Sequence, residues 1–384
     1  MLIGSTVIWR RIIPLVSKEK TMIRDLLKLC LVIFIVASHS VWIFFYIYLP
    51  DESWISMFCF ICLALYAHLA VFLVICTLFE RSIDFIFPQV TSVILKSRTF
   101  HTLISLGAAI LLVTSGLSVT RSSPTVQSQD VYISGLSPKF DGFSIVLITD
   151  IHIGPTVGKN RVEQIVRLTN DLNPDMVALV GDLVDGFVNH LGSRSLPLAQ
   201  LHPKYGVFAV TGNHEYMYDE TDKWIEFFQK NLNITVLRND NRIIRKNRST
   251  DLETDALCLA GVDDIFTERL YIEGHRMDAK KALETCPENI PTILLAHQPN
   301  AAKKILATTE KKISLILSGH THGGQMYPLY FLVYLSSPFL HGLYSTPAGT
   351  QVYVSSGVNY WGPPIKMLNL CEVVLLRLHP AVPT

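Results

Sequence analysis

Two regimes of hydrophobicity divide the chain. Between residues 29 and 120 the apolar positions run on without a period: 29–49 and 55–79 contain no charged residue, and 103–120 is a shorter, glycine-containing run. At about 1.5 Å per helical residue, such runs match a hydrocarbon core roughly 30 Å thick, so three spanning helices are predicted. The segment 83–95 is apolar but short and carries Asp84 and Pro88. It reads as interfacial or buried, and a fourth crossing there would reverse the topology.

From residue 121 the pattern changes. Residues 121–130 (RSSPTVQSQD) are polar and aperiodic, which predicts a linker. Beyond them, short β-rich runs recur at 144–149, 176–180, 206–211, 256–260, 292–296, 314–318, 351–355 and 372–378. Helical spacing of Val162, Ile165, Val166 and Thr169 predicts an amphipathic helix over 160–172, with a second over 222–231. Strands alternating with helices give a layered α/β domain. The predicted division is a multi-span region at 1–120, a linker at 121–130 and one catalytic domain at 131–384.

Composition fits this split: 49% of the 384 residues are hydrophobic and 17% charged, against about 25% charged in an average soluble domain. A net charge of +1 with no basic stripe offers nothing to a phosphate backbone, so nucleic acid is not an expected partner. The first apolar run is too long and too late for a cleavable signal peptide, so retention in the membrane is expected. Arg10, Arg11, Lys18, Lys20, Arg24 and Lys28 precede the first span, and Asp51 and Glu52 follow it, which puts the N-terminus in the cytoplasm. Three crossings then set the catalytic domain on the exoplasmic or luminal side, where the sequons at Asn233 and Asn247 are compatible. The seven cysteines do not read as a disulfide framework, and Cys59 and Cys62, inside an apolar run, read as small hydrophobes. His39 and His68 within the spans are expected to bond neighbouring helices rather than form a proton path.

In open α/β sheets reactive groups collect past the carboxyl ends of strands. Here those positions carry Asp150-Ile-His152, Gly181-Asp182-Leu-Val-Asp185, Gly212-Asn213-His214-Glu215, His297 and Gly319-His320-Thr-His322. Oxygen and imidazole donors without thiolates suit divalent ions of the Mn, Fe, Zn or Co class, and the set is too large for one ion, so two are expected. The i, i+2 spacing of Asp150 and His152 would turn both side chains to one face of a continuing strand. The same holds for His320 and His322 unless Gly319 redirects them. Asp182 has two carboxylate oxygens with which to bridge a metal pair about 3.5 to 4 Å apart, a separation that clamps one phosphate.

The five blocks, in this order, resemble the calcineurin-like metallophosphoesterases, over residues from about 141 onward. The resemblance implies a layered metallophosphatase β-sandwich flanked by helices, preceded here by the transmembrane region. It implies one metal held by Asp150, His152 and His322, a second by Asn213, His297 and His320, Asp182 between them, and His214 as general acid. Water activated by the metals would then attack phosphorus in line. His214 would give its proton to the departing oxygen, with Asp150 or another carboxylate orienting it. Asp185 and Glu215 are expected to hydrogen-bond imidazole N–H groups behind the metals. Gln325, Asn359 and Lys366 follow strand ends and are candidates for touching substrate, although a structural role competes for each, and Lys366 stands where bidentate phosphate binding would want Arg.

The function expected is a membrane-anchored, metal-dependent phosphatase or phosphodiesterase. The alternative is a catalytically silent membrane scaffold with a metal-filled domain, against which the retained proton donor His214 speaks. An anchored site meets lipid headgroups readily, so a phospholipid or lipid-linked diphosphate is a reasonable substrate. The aromatic run 327–339 either leans on the bilayer or forms a core segment or lid.

Overall fold

A computed structural model describes residues 1–18, 20–46, 53–89, 97–246, 254–328, 330–367 and 371–381. The chain forms two compact units, Met1–Ser118 with Gly362–Ile365, and Val119–Trp361 with Lys366–Thr384.

In the first unit the helices are α1 (Leu2–Val16), α2 (Thr21–Tyr46), α3 (Trp54–Ile86) and α4 (Arg98–Arg121). Thr21–Ile43, Trp54–Ile86 and Arg98–Arg121 are long and apolar enough to cross a membrane. The helix α1, at 15 residues, falls short of that length. Ile8, Leu31, Tyr66, Leu69, Leu73 and Ala109 pack the four helices together. Glu80 accepts two hydrogen bonds from Arg11, each 2.8 Å, and lies 2.8 Å from His101 Nδ1, so one buried carboxylate ties α1, α3 and α4. The Nδ1 atoms of His39 and His68 each meet the carbonyl one turn earlier, Ile35 and Ala64. The start of the segment expected to be interfacial, residues 83–86, is the end of α3, and residues 90–95 lie outside the described residues.

The second unit is a sandwich of two six-stranded sheets. Its strands are β1 (Thr125–Ile133), β2 (Phe143–Ile148), β3 (Met176–Val180), β4 (Val207–Val210), β5 (Thr235–Val236), β6 (Asp240–Arg245), β7 (Ala256–Gly261), β8 (Thr292–Leu295), β9 (Leu315–Ser318), β10 (Gly342–Ser345), β11 (Gln351–Val354) and β12 (Glu372–Pro380). One sheet has the order β1-β12-β2-β3-β4-β5 and the other β10-β11-β9-β8-β7-β6. Alternation along the strands sorts their side chains into layers. Ile145, Leu147, Ala178 and Leu376 of the first sheet meet Leu259, Ile293 and Leu317 of the second. On the outer faces, Val146, Leu179 and Ala209 pack under α5 (Lys159–Asp171) and α7 (Thr221–Leu232), which precede and follow α6 (Val188–Ser195) in chain order. Ala260, Leu294 and Ile316 pack under α8 (Ala279–Leu283) and α9 (Pro299–Thr308). The remaining helix, α10 (Tyr330–Ser336), buries no residue.

Two expectations are corrected here. The stretch 121–130 is not a linker: its second half is strand β1, paired in parallel with β12 from Thr125↔Glu372 to Ile133↔Pro380. As the outermost strand, β1 leaves Thr125, Val126, Gln127 and Ser128 exposed, so its sequence carries no buried alternation to betray it. Cysteines do pair: Cys258 on β7 is bonded to Cys286, just past α8, with Cα atoms 5.7 Å apart. Their separation of 28 residues has no motif-like spacing, and only the packing of α8 on the sheet brings them together.

Candidate metal centre

The first sheet contributes the ends of β2, β3 and β4 to the site, and the second contributes the ends of β8 and β9. The turns that follow are backbone-strained at the chemistry-bearing positions. Asp150 (φ 57°), His152 (51°), Asp182 (54°), His320 (70°) and His322 (50°) all occupy the left-handed region. That region costs an L-residue roughly 1 to 2 kcal/mol, a cost tolerated where the surroundings fix the conformation. The expected i, i+2 logic of a continuing strand therefore does not apply: β2 stops at Ile148 and β9 at Ser318, and both pairs are aimed by consecutive left-handed turns. Glycines let these turns close on the carboxylates. A Cβ at Gly212 would stand 2.2 Å from Asp182 Oδ1, and one at Gly319 would stand 2.5 Å from Asp150 Oδ2.

The imidazoles face inward by their Nε2 atoms. His152 Nε2 lies 3.1 Å from His322 Nε2, 3.8 Å from Asp182 Oδ2 and 4.0 Å from Asp150 Oδ1, and His322 Nε2 lies 3.5 Å from Asp150 Oδ1. His297 Nε2 lies 3.1 Å from Asp182 Oδ2, and the His297 and His320 rings meet edge to face at 5.2 Å. Two groups of donors result, Asp150–His152–His322 and Asp182–His297–His320, each close enough to share one ion. A third, His152–Asp185–His214, meets the same distance test, but Asp185 there takes up Nδ1 nitrogens, the side of His152 away from the other donors. Asn213 Oδ1 is buried and has no hydrogen-bond partner.

This donor set fits a divalent cation. Nδ1 of His152 is bonded to Asp185 Oδ1 at 2.8 Å and Nδ1 of His297 to the Val180 carbonyl at 2.8 Å, which fixes each ring and leaves Nε2 for a metal. Burial holds His320 down at about 4 and His322 well below its ordinary value, so both keep a free lone pair at neutral pH. Burial opposes charge on Asp182, but His297, His214 and His152 around it hold its carboxyl well below the usual range.

His214 Nδ1 also lies 2.8 Å from Asp185 Oδ1, an ion-pair contact off the hydrogen-bond axis. Burial works against a proton on His214, yet Asp185 and Asp182 prevail and raise it to about 9. The carboxylate that orients this ring is thus Asp185 rather than Asp150, which instead accepts from the His320 backbone N–H. Glu215 does not touch an imidazole as expected. It accepts from the backbone N–H groups of Gly212 (2.7 Å), Asp182 (3.0 Å), Leu183 (2.7 Å) and Val184 (3.2 Å), stapling the β3 turn to the β4 turn.

The candidate substrate contacts are corrected as well. Lys366 is fully buried and its ammonium donates to the carbonyls of Ser356, Gly357 and Asn359, which uses all three of its protons. Asn359 is also fully buried, accepting from Arg161 Nε and donating to the Ile151 carbonyl. Gln325 exchanges two hydrogen bonds of 3.0 Å with the Trp361 backbone. Lys366 and Asn359 thus hold the 356–359 turn that packs against Asp150. One acidic group escaped the sequence reading: Asp264, past the end of β7, is buried with one oxygen unpartnered and the other bonded to Gln298, and burial lifts it to about 7. The strand-end rule applied to 256–260 would have found it.

Residues 143–324 match the family model of the calcineurin-like phosphoesterases, and the chain belongs to that family. Two of its relatives are transmembrane proteins by description. A transmembrane protein with metallophosphoesterase domain from Bos taurus is 36% identical, over 99% of this chain and 87% of that one. The Danio rerio protein of the same description is 34% identical with the same coverage. A Caenorhabditis elegans relative, whose description likewise names a metallophosphoesterase, is 40% identical over 92% of this chain and 74% of its own. Among the described residues three helices are long and apolar enough to span a bilayer, and the family and donor clusters support divalent-metal binding.

Proposed function

We propose that the chain is a multi-pass membrane hydrolase of phosphate esters with a dinuclear centre. Asp150, His152 and His322 would hold one cation and Asn213, His297 and His320 the other, with the Asp182 carboxylate placed to serve both groups. The convergence of these donors from five strand ends of two sheets is the observation that carries the reading. Bound cations would supply Lewis acidity toward phosphate oxygens and activate water as the nucleophile. Asp185 orients the His152 and His214 rings, and His214, buried against the half-exposed Trp361, would deliver a proton to the leaving oxygen. Glu215 and Lys366 keep the turns in place. Manganese-stimulated turnover of aryl phosphate monoesters or diesters by the purified full chain tests the reading. Two bound ions per chain with no turnover of any phosphate ester would instead favour the scaffold.

Asp185→Asn is expected to lower the His214 pKa, because the charge that raises it is gone. His214 must be protonated to act as an acid, so activity held below its pKa and lost above it should fall off at lower pH in the variant. Bound cations would lower the His214 value in both proteins and leave that sign unchanged. A kcat profile against pH whose alkaline limb stays in place in Asp185→Asn would contradict the role.

The proposed topology has α2, α3 and α4 crossing the bilayer with the catalytic unit exoplasmic or luminal. The Cys258–Cys286 disulfide supports it, since such bonds persist in oxidising compartments. Asn233 is exposed at the C-terminal cap of α7, in reach of a glycosyltransferase, whereas Asn247 lies outside the described residues. In cells, a glycosidase-sensitive mass shift lost in Asn233→Gln, together with cysteines at 258 and 286 refractory to alkylation before reduction, is the expected result. Unmodified Asn233 with both thiols free would place the domain in the cytosol.

A further inference from the structure

Immediately past Gly324 the chain runs through 326–340 without a charged residue, and α10 lies within that run. Unlike α5, α7 and α9, each of which buries one face, α10 buries nothing. Tyr327 is 50% exposed, Phe331 53%, Leu332 66%, Tyr334 60% and Leu335 80%. Large apolar side chains exposed together mark a surface that something covers. The bilayer is within reach: only three residues separate the end of α4 at Arg121 from the start of β1 at Thr125. Four peptide steps extend at most about 14 Å, so the start of β1 is tethered close to the point at which α4 ends. The side chains suit that occupant. Tyr hydroxyls interspersed with Leu and Phe are the composition of the lipid interface, and the lack of basic residues leaves apolar insertion as the driving force.

The helix is also built onto the site. Gly324, two residues after His322, has φ +82°, and a Cβ there would stand 2.6 Å from the Tyr330 ring. Gln325, between them in sequence, clasps the Trp361 backbone, and the Trp361 ring lies 5.5 Å from that of His214. A continuous run of contacts thus leads from the apolar helix to the edge of the metal centre. We propose that α10 inserts shallowly into the adjoining leaflet and presents the site to phosphate esters carried by lipids of that leaflet. The insertion stands on geometry and composition alone, and the lipid-borne substrate rests on the hydrolase reading above.

The test uses the full chain in phosphatidylcholine nanodiscs containing phosphatidic acid, with a fluorescent amino acid encoded in turn at position 332, 335 or 271, the last replacing Tyr271, which is 99% exposed. Doxyl-labelled lipid should quench emission at 332 and 335 and leave 271 unaffected. Equal behaviour at all three positions overturns the insertion. In the second arm, Leu332→Asp combined with Leu335→Asp should lower release of phosphate from phosphatidic acid by about tenfold or more while turnover of a soluble aryl phosphate stays at the wild-type level. Parallel loss on both substrates, or loss on neither, overturns the presentation role. Quenching at 332 and 335 without turnover of either ester by the wild type would sink the hydrolase reading and leave the insertion supported.

Discussion

Asp182→Asn is expected to release bound metal and to reduce phosphate-ester turnover by about 10³-fold, the upper range for removing one electrostatic stabiliser. The reasoning is local. Asp182 Oδ2 stands 3.1 Å from His297 Nε2 and 3.8 Å from His152 Nε2, members of the two donor groups, so it is the carboxylate placed to serve both. An amide has the same shape but one acceptor oxygen and no charge, and cannot bridge two cations. Its Oδ1 also accepts from the His214 backbone N–H at 2.9 Å, a bond that Asn can keep, so the fold should persist. Metal content and kcat measured on the same preparation check the prediction: two ions per chain with near-normal turnover would remove Asp182 from the bridging position.

The second large effect falls on stability. Glu215→Ala strips four buried backbone N–H groups of their acceptor at once, those of Gly212, Asp182, Leu183 and Val184. An unsatisfied buried donor costs about 1 to 3 kcal/mol, and partial hydration of the vacated space brings the sum to roughly 4 kcal/mol. For a domain of this size that lowers Tm by about 10 °C. Burial pushes the Glu215 carboxyl up and Asp182 adds to the rise, while the amides of Gly212 and Leu183 oppose it. Those amides are the reason for the acid's presence. Thermal unfolding followed by circular dichroism gives the shift, and a change under 2 °C would mean the turns hold themselves.

How far the sequence could be read depended on whether the signal lay in residue type or in backbone direction. Strands β3, β8 and β9 are buried on both faces, so near-continuous apolar runs announced them, and the chemically active residues just beyond were conspicuous against that background. Strand β6, with Asp240, Asn241 and Arg242 at its start, and edge strand β1 carried no such contrast. The left-handed turns at Asp150 and His322 are set by tertiary contacts and have no compositional mark, since only Gly or Asn would advertise them. Direction also undid the substrate guesses. Asn359 and Lys366 lie near Asp150, as a position past a strand end predicts, but their polar atoms turn inward to carbonyls and to Arg161.

The order of the first sheet bears on how the molecule is made. Strand β12 lies between β1 and β2, so β1 acquires its neighbour only after the last of the twelve strands has been synthesised. Until then β1, held a few residues from the end of α4, waits with open backbone groups while β2 to β5 and the second sheet can associate. Closure of the first sheet therefore waits on residues 372–380, and chains stopped before residue 372 should stay protease-sensitive across the second unit.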